Sequence, residues 1–465
     1  MCTSISVGPA ASRDGSLLVG RNEDCERAGW NKALIRRPQP EWLAFPNSAS
    51  NGTWTLGNGM RVAVPPAAFG YTGMPDSGAS QEATAAIGNR FFFEERGVNA
   101  CNFAISATNS MTTNPAAAAA DPFVQAGLAE SILPTLLLPQ ARSARHALEL
   151  IAGYMSVNGA SEPNGFFLAD PQEIWYVEIG SAHHWIAVRV PPDRYIAVAN
   201  ALRIHDVDLA DGDAVRHSEG LFEFVCRHHL LAQPNARRFD FAQAFGMLGE
   251  PYNVDRVWLA QHLLTPSLQQ PIRQPQYPLF LAPDRRIGPE DVMSVLRATY
   301  AGTPLQGIAD RPIGWRKTAE SHVIVIDPKM PEPLRGLLWQ CVSTPLCAPY
   351  LPVFAALDRI PVVYANGSDT YGTHSAYWAY RGLFTLAETA GEATRDSVAA
   401  MWREHERRLV AQQRDLRGLL AGDAAVAQQD AVDIACRYSA GAVFEALEMA
   451  RTTRDRLMTE LTQSG

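Results

Sequence analysis

Residues 3–7 alternate in a β-prone run, residues 12–16 carry turn chemistry, and residues 17–20 are apolar again, so the chain is expected to open with a β-hairpin. Residues 38–90 are rich in Pro, Gly, Asn and Ser with short apolar islands, which reads as long loop, and residues 102–107 read as a core strand. From 122 to 155, Leu128, Ile132, Leu136, Ala147, Leu148 and Ile151 recur at helical spacing with a break near Pro139, predicting two helices. Four short β-prone runs follow, at 166–169, 174–179, 185–190 and 195–199. Asp170-Pro171, Gly180-Ser181 and Pro191-Pro192-Asp193 separate them, the pattern of an antiparallel meander. Helices are expected near 213–232 and 289–299, and further strands at 322–326 and 336–341. After residue 380 Ala, Glu, Arg, Gln and Leu dominate, with a break at Gly422-Asp423 and a second helical run over 430–461, which predicts a C-terminal helical hairpin.

Composition narrows the function classes. A chain of 465 residues corresponds to about three domains, or one large domain with an appendage. Apolar residues at 47% and charged residues at 19% fit a folded globular protein. The net charge of −8, with no long basic run, disfavours a nucleic-acid partner. Residues 131–138, among the longest apolar stretches, fall far short of the roughly 20 needed to span a bilayer, so no membrane partner is expected. The first residues lack the basic and apolar regions of a secretory signal, and a cytoplasmic location is expected. Seven cysteines without CxxC spacing suggest reduced, mostly buried thiols rather than a disulfide framework or a zinc site. His183-His184, if adjacent on a strand, would point to opposite faces, so no metal is implied there, and His322 reads as a satisfied interior histidine.

Cys2 is the chemically distinctive position. With Met1 removed, its thiol would share a residue with a free α-amino group. Their ordinary pKa values, near 8.5 and 7.7 to 8.0, allow the amine to take the thiol proton during attack on a carbonyl. Gly20-Arg21-Asn22-Glu23-Asp24 closes the second strand, and the hairpin would bring it back alongside Cys2. A guanidinium there favours thiolate, and a carboxylate can orient the amine.

Cys2-Thr3-Ser4, Val7-Gly8, Ala11-Ser12, Asp14-Gly15-Ser16 and Arg21-Asn22-Glu23-Asp24 together resemble the N-terminus of the C69 family of cysteine dipeptidases, N-terminal nucleophile hydrolases related to penicillin V acylases and bile salt hydrolases. The resemblance continues through Gly97-Val98-Asn99, Trp175-Tyr176-Val177-Glu178, residues 183–191, residues 195–200, Glu320-Ser321-His322 and Ser375-Ala376-Tyr377-Trp378, covering about residues 1–385. It implies an α+β fold, a four-layer αββα sandwich over 1–385, with residues 386–465 as a helical hairpin packed on it. It also implies Cys2 as nucleophile and base, flanked by Arg21 and Asp24, with Asn200 lining the oxyanion site and Asn109 as a second oxyanion candidate. The related acylases use a later arginine, a role the resemblance assigns to neither Arg203 nor Arg311. Many family members carry a propeptide, whereas here Met1 alone precedes the cysteine.

The expected activity is cofactor-independent hydrolysis of a dipeptide through a thioester, with Glu23, Glu178 and Arg203 as candidates for gripping the substrate's amine or carboxylate. An acylase acting on an N-acyl amide and a non-enzymatic, secernin-like interaction protein are the alternatives. The partner implied is a small molecule, and the C-terminal helices offer a surface for self-association.

Overall fold

The computed structural model describes residues 2–25, 32–37, 52–56, 58–65, 68–75, 94–130, 132–357, 360–366, 370–421 and 428–464. The expected hairpin is present: β1 (Cys2–Val7) and β2 (Leu17–Asp24) pair antiparallel, with Cys2 opposite Glu23 and Val7 opposite Leu18. Ser12 fastens the turn, donating to the Pro9 carbonyl at 3.0 Å and accepting the Gly15 N–H at 3.1 Å. Gly15 sits at φ +92°, where a side chain would be strained.

This hairpin lies inside a six-stranded antiparallel sheet. Its order is β12 (Tyr195–Val198), β1, β2, β14 (Thr318–Ile326), β15 (Gly336–Val342) and β16 (Leu351–Phe354). The second sheet has eight strands. They run β13 (Val215–His217), β11 (Trp185–Arg189), β10 (Ile174–Ile179), β9 (Asn164–Ala169), β8 (Ala104–Ser110), β7 (Glu94–Asn99), β6 (Tyr71–Pro75) and β3 (Ile35–Arg37). A separate pair, β4 (Thr53–Thr55) and β5 (Arg61–Ala63), completes the strands among the described residues.

Alternation along each strand sorts side chains between layers. Leu17, Val19, Ile324, Ile326 and Leu338 of the first sheet meet Val98, Phe167, Ile174, Tyr176 and Val188 of the second. On the far side of the second sheet, Ile105, Phe166, Leu168, Trp175 and Val177 pack against α2 (Leu133–Leu137) and α3 (Ala144–Asn158), which follow α1 (Pro115–Ala120). The far side of the first sheet (Ile5, Val7, Leu18, Val323, Val325, Trp339) is covered by helices from later in the chain. After α4 (Leu221–Arg227) and α5 (Phe241–Phe245) come α6 (Pro251–Leu264), α7 (Pro289–Leu296), α8 (Val362–Ala365), α9 (Ala376–Thr389), α10 (Glu392–Leu420) and α11 (Gln428–Ser464). Three apolar interfaces between four layers make this an αββα sandwich with a C-terminal helical region. No described helix is long and apolar enough to cross a membrane.

The meander requires correction. β9, β10 and β11 are consecutive neighbours, but β12 leaves that sheet and pairs with β1, Ser4 opposite Val198. Pro191 and Pro192 supply no N–H to extend the β11 ladder. The N–H groups of Ala10 and Ala11 capture the Pro192 carbonyl at 2.7 and 3.0 Å, and the Gly8 N–H donates to Arg194 at 2.9 Å. Two turns are thereby fastened together, and the chain is handed from one sheet to the other. The region expected as helix over 213–232 contains β13 and the short α4 instead. His183 and His184 stand in the turn before β11 rather than on a strand. His183 Nδ1 meets Asp121 at 2.8 Å, and His184 Nδ1 meets Ser218 Oγ at 3.0 Å. Four of the seven cysteines are buried, while Cys101, Cys226 and Cys436 are half-buried. The 385/386 division falls within α9, and the expected break at Gly422-Asp423 lies outside the described residues.

Candidate active site

Strand parity places Cys2 on the face of β1 turned toward the second sheet, because Ile5 and Val7 pack on the outer face. Arg21 shares that inward face with Leu17 and Val19. In the antiparallel register it lies opposite Ser4, from where its Nη2 reaches back to donate to Cys2 Sγ at 3.0 Å. The same nitrogen donates to Glu95 Oε2 at 2.9 Å and lies 4.0 Å from Glu130 Oε1. Burial pushes the Cys2 thiol above its ordinary value, and Arg21 is the strongest opposing influence, while Glu130 and Asp24 add to the rise.

The Cys2 nitrogen is held from the other side. It donates to Asn200 Oδ1 at 3.0 Å, and Asn200 Nδ2 donates to the Ser110 carbonyl at 2.9 Å. Asn200 follows β12 closely, so the sheet crossing is what delivers it to β1. Its amide orientation is set by Arg256, which can only donate and whose Nη2 reaches Asn200 Oδ1 at 2.9 Å.

Arg256 is the residue the sequence reading missed. Fully buried on α6, it donates to the Cys2 carbonyl at 2.7 Å, Thr3 Oγ1 at 2.9 Å, Asn253 Oδ1 at 3.0 Å and the Tyr252 carbonyl at 2.9 Å. Burial lowers its pKa to about 10, which leaves it a cation at neutral pH. One signal was available: Asn253 and Arg256 stand three residues apart in a helical run whose other buried positions include Val254, Val257 and Leu259.

Asp24 lies on the opposite face of β2, where Arg311 Nη2 and Thr318 Oγ1 both donate to it. Arg311 also stacks over Trp315 at 4.3 Å. Asn109 pairs with Gly165 in the sheet, and its side chain lies outside the described portion. Two of the proposed substrate-gripping residues serve the scaffold. Glu178 accepts the N–H groups of Arg203 and Ile204 at 2.5 and 3.1 Å, and Arg203 Nη2 donates to the carbonyls of Tyr277 and Pro278 at 2.9 and 2.8 Å. Glu23 pairs with buried Lys32 at 2.6 Å. His322 is fully buried between Glu320 and Ser106, 2.9 Å from each.

The model of Peptidase family C69 matches residues 1–404. The chain belongs to this family. Among relatives, a "Probable dipeptidase" of Latilactobacillus sakei is 32% identical over 400 residues, 83% of this chain and 81% of that one. A "Dipeptidase" of Bifidobacterium longum is 29% identical over 437 residues, 85% of this chain and 79% of that one. A solved variant of conjugated bile acid hydrolase from Clostridium perfringens aligns with 52% of this C69 member and 76% of its own chain, at 10% identity and a TM-score of 0.27, too slight a likeness to bear on its chemistry.

Proposed function

We propose that this C69 member hydrolyses dipeptides with Cys2 as an N-terminal nucleophile once Met1 has been removed. The observation that carries the reading is that Cys2 is held by separate partners at its two reactive atoms, Arg21 at the sulfur and Asn200 at the nitrogen. The family and the relatives named dipeptidases support the substrate class.

With the α-amine unblocked, one of its hydrogens is donated to Asn200 Oδ1, which aims the nitrogen lone pair away from that oxygen and toward the thiol. The thiol proton passes to this amine as sulfur bonds to the carbonyl carbon, giving a tetrahedral oxyanion. Asn200 Nδ2 carries two hydrogens, one committed to Ser110, and the second is a donor for that oxyanion. Collapse breaks the C–N bond, the α-ammonium returns its proton to the leaving amine, and a thioester remains. Water then attacks, giving its proton to the same amine and releasing the acid with the thiol restored. Arg21 stabilises sulfur as it becomes anionic, and Arg256 fixes both Asn200 and the Cys2 carbonyl. Asp24, through Arg311 and Thr318, steadies the end of β2. We place this activity in the cytoplasm.

Two measurements test the reading. Mass spectrometry of active protein should show Cys2 as the first residue, and Cys2→Ala should fold normally while losing dipeptide hydrolysis by about 1,000-fold or more. Methionine at the terminus of active protein, or near-native turnover by Cys2→Ala, contradicts it.

A further inference from the structure

The carboxylates that act on the Cys2–Arg21 pair include Glu23, Glu95, Glu320, Glu130 and, from the opposite face of β2, Asp24, and all but Glu130 are closely paired with a basic side chain, Glu320 with His322 Nδ1 at 2.9 Å. Glu23 pairs with Lys32 at 2.6 Å, Glu95 with Arg21 at 2.9 Å, and Asp24 with Arg311. Glu130 differs. Ser110 Oγ donates to its Oε2 at 2.8 Å, and its one cation within 4.0 Å among the described residues is Arg21, at that limit. Its side chain is 22% exposed, against 8%, 6% and 0% for Glu23, Glu95 and Asp24, so a cation arriving from solvent meets Glu130 first.

Glu130 is also tied to the nucleophile along two routes. Arg21 Nη2, its ion-pair partner, touches Cys2 Sγ at 3.0 Å. Ser110, its hydroxyl partner, accepts the Asn200 amide whose oxygen takes the Cys2 N–H. We propose that Glu130 receives the free α-ammonium of the substrate's first residue and so restricts this site to peptides with an unblocked amino terminus. The inference rests on Cys2 being the nucleophile of a dipeptide hydrolase.

Bond lengths support the placement. In a peptide the amino nitrogen is two bonds, of about 1.46 and 1.52 Å, from the first carbonyl carbon. With that carbon about 3 to 3.5 Å from the attacking sulfur, the ammonium lies within about 6 Å of Sγ. A carboxylate bound to it stands about 2.8 Å beyond, the zone that a group in contact with Arg21 Nη2 occupies. An internal residue or an N-acylated one brings an uncharged amide to the same place. Burial, with the nearby charge of Glu95, pushes Glu130 up to about 8, so the carboxyl is mostly protonated at neutral pH until an ammonium beside it favours the charged form.

The test compares alanylalanine with N-acetylalanylalanine. Wild-type protein should prefer the free amine, and Glu130→Gln should lower kcat/KM on alanylalanine by about 10- to 100-fold more than on the acetylated compound, mainly through KM. Glu130→Asp should keep part of the preference. A preference unchanged in Glu130→Gln, or none in the wild type, overturns the proposal. Should Glu130→Gln fail to fold, protection of wild-type Cys2 from iodoacetamide decides: alaninol should protect and N-acetylalaninol should not, and equal protection overturns it. Failure of the underlying reading looks different, because Cys2→Ala would then hydrolyse alanylalanine as the wild type does.

Discussion

At the scale of single residues, reactivity depends on how two opposing effects divide at Cys2. Burial holds the thiol neutral, and the Arg21 guanidinium 3.0 Å away favours the thiolate. Arg21→Gln keeps a hydrogen-bond donor near sulfur and removes the charge. Because that charge is the strongest influence pulling the thiol down, its loss moves the pKa further up. Less thiolate is then present at every pH below the shifted value. The expected outcome is an iodoacetamide alkylation profile displaced to higher pH, with slower labelling at pH 7. A profile that stays put or moves to lower pH would show that Arg21 does not set the thiolate fraction.

Elements place these residues, and β12 is the decisive one. Its pairing with β1 is anchored where Gly8 lies against the Pro191–Pro192 turn. A Cβ at Gly8 would stand 2.4 and 2.5 Å from the carbonyl oxygens of Pro191 and Pro192, backbone atoms that cannot swing aside. Gly8→Ala is therefore expected to cost about 1 to 3 kcal/mol and to shift β12, carrying Asn200 away from the Cys2 nitrogen. Thermal unfolding should show a lower Tm together with reduced turnover. Gly441 provides the contrast: it lies on α11 with nothing within 4 Å of an added Cβ. Gly441→Ala is expected to stabilise the protein by about 0.5 to 1 kcal/mol and leave kinetics untouched, as thermal unfolding and a turnover assay can check.

For the whole molecule, the question is whether the C-terminal helices form a separable unit. Trp402 and Leu409 of α10, with Val443 and Leu447 of α11, belong to the same apolar core as Val325, Trp339 and Val353 of the first sheet. Polar ties cross the same boundary. The Tyr350 N–H donates to Glu406 at 2.7 Å, the Phe354 N–H to Ser439 Oγ at 3.2 Å, and Arg297 pairs with Glu406 at 2.5 Å. We propose that residues 386–465 act as a cover for the catalytic sheet rather than as an independent domain. A chain ending at residue 391 would leave apolar side chains of β15 and β16 open to water and should aggregate, as size-exclusion chromatography would show. A monomeric, active product would instead establish a dispensable appendage.

Local patterning in the chain was enough to reveal the opening hairpin, β-prone runs within β10 and β14, the C-terminal helices, and the chemical groups at Cys2 and Arg21. Such features were legible because burial on one face of a strand or helix imposes a short period on adjacent positions. Tertiary structure alone decided that β12 joins β1, that Arg256 clasps a carbonyl 254 positions earlier, and that Glu130 stands beside Arg21. Contacts between remote segments leave no period in the chain. They arise when turns such as those at Gly8 and Pro192 satisfy each other's backbone groups, and that choice is made only as the layers close.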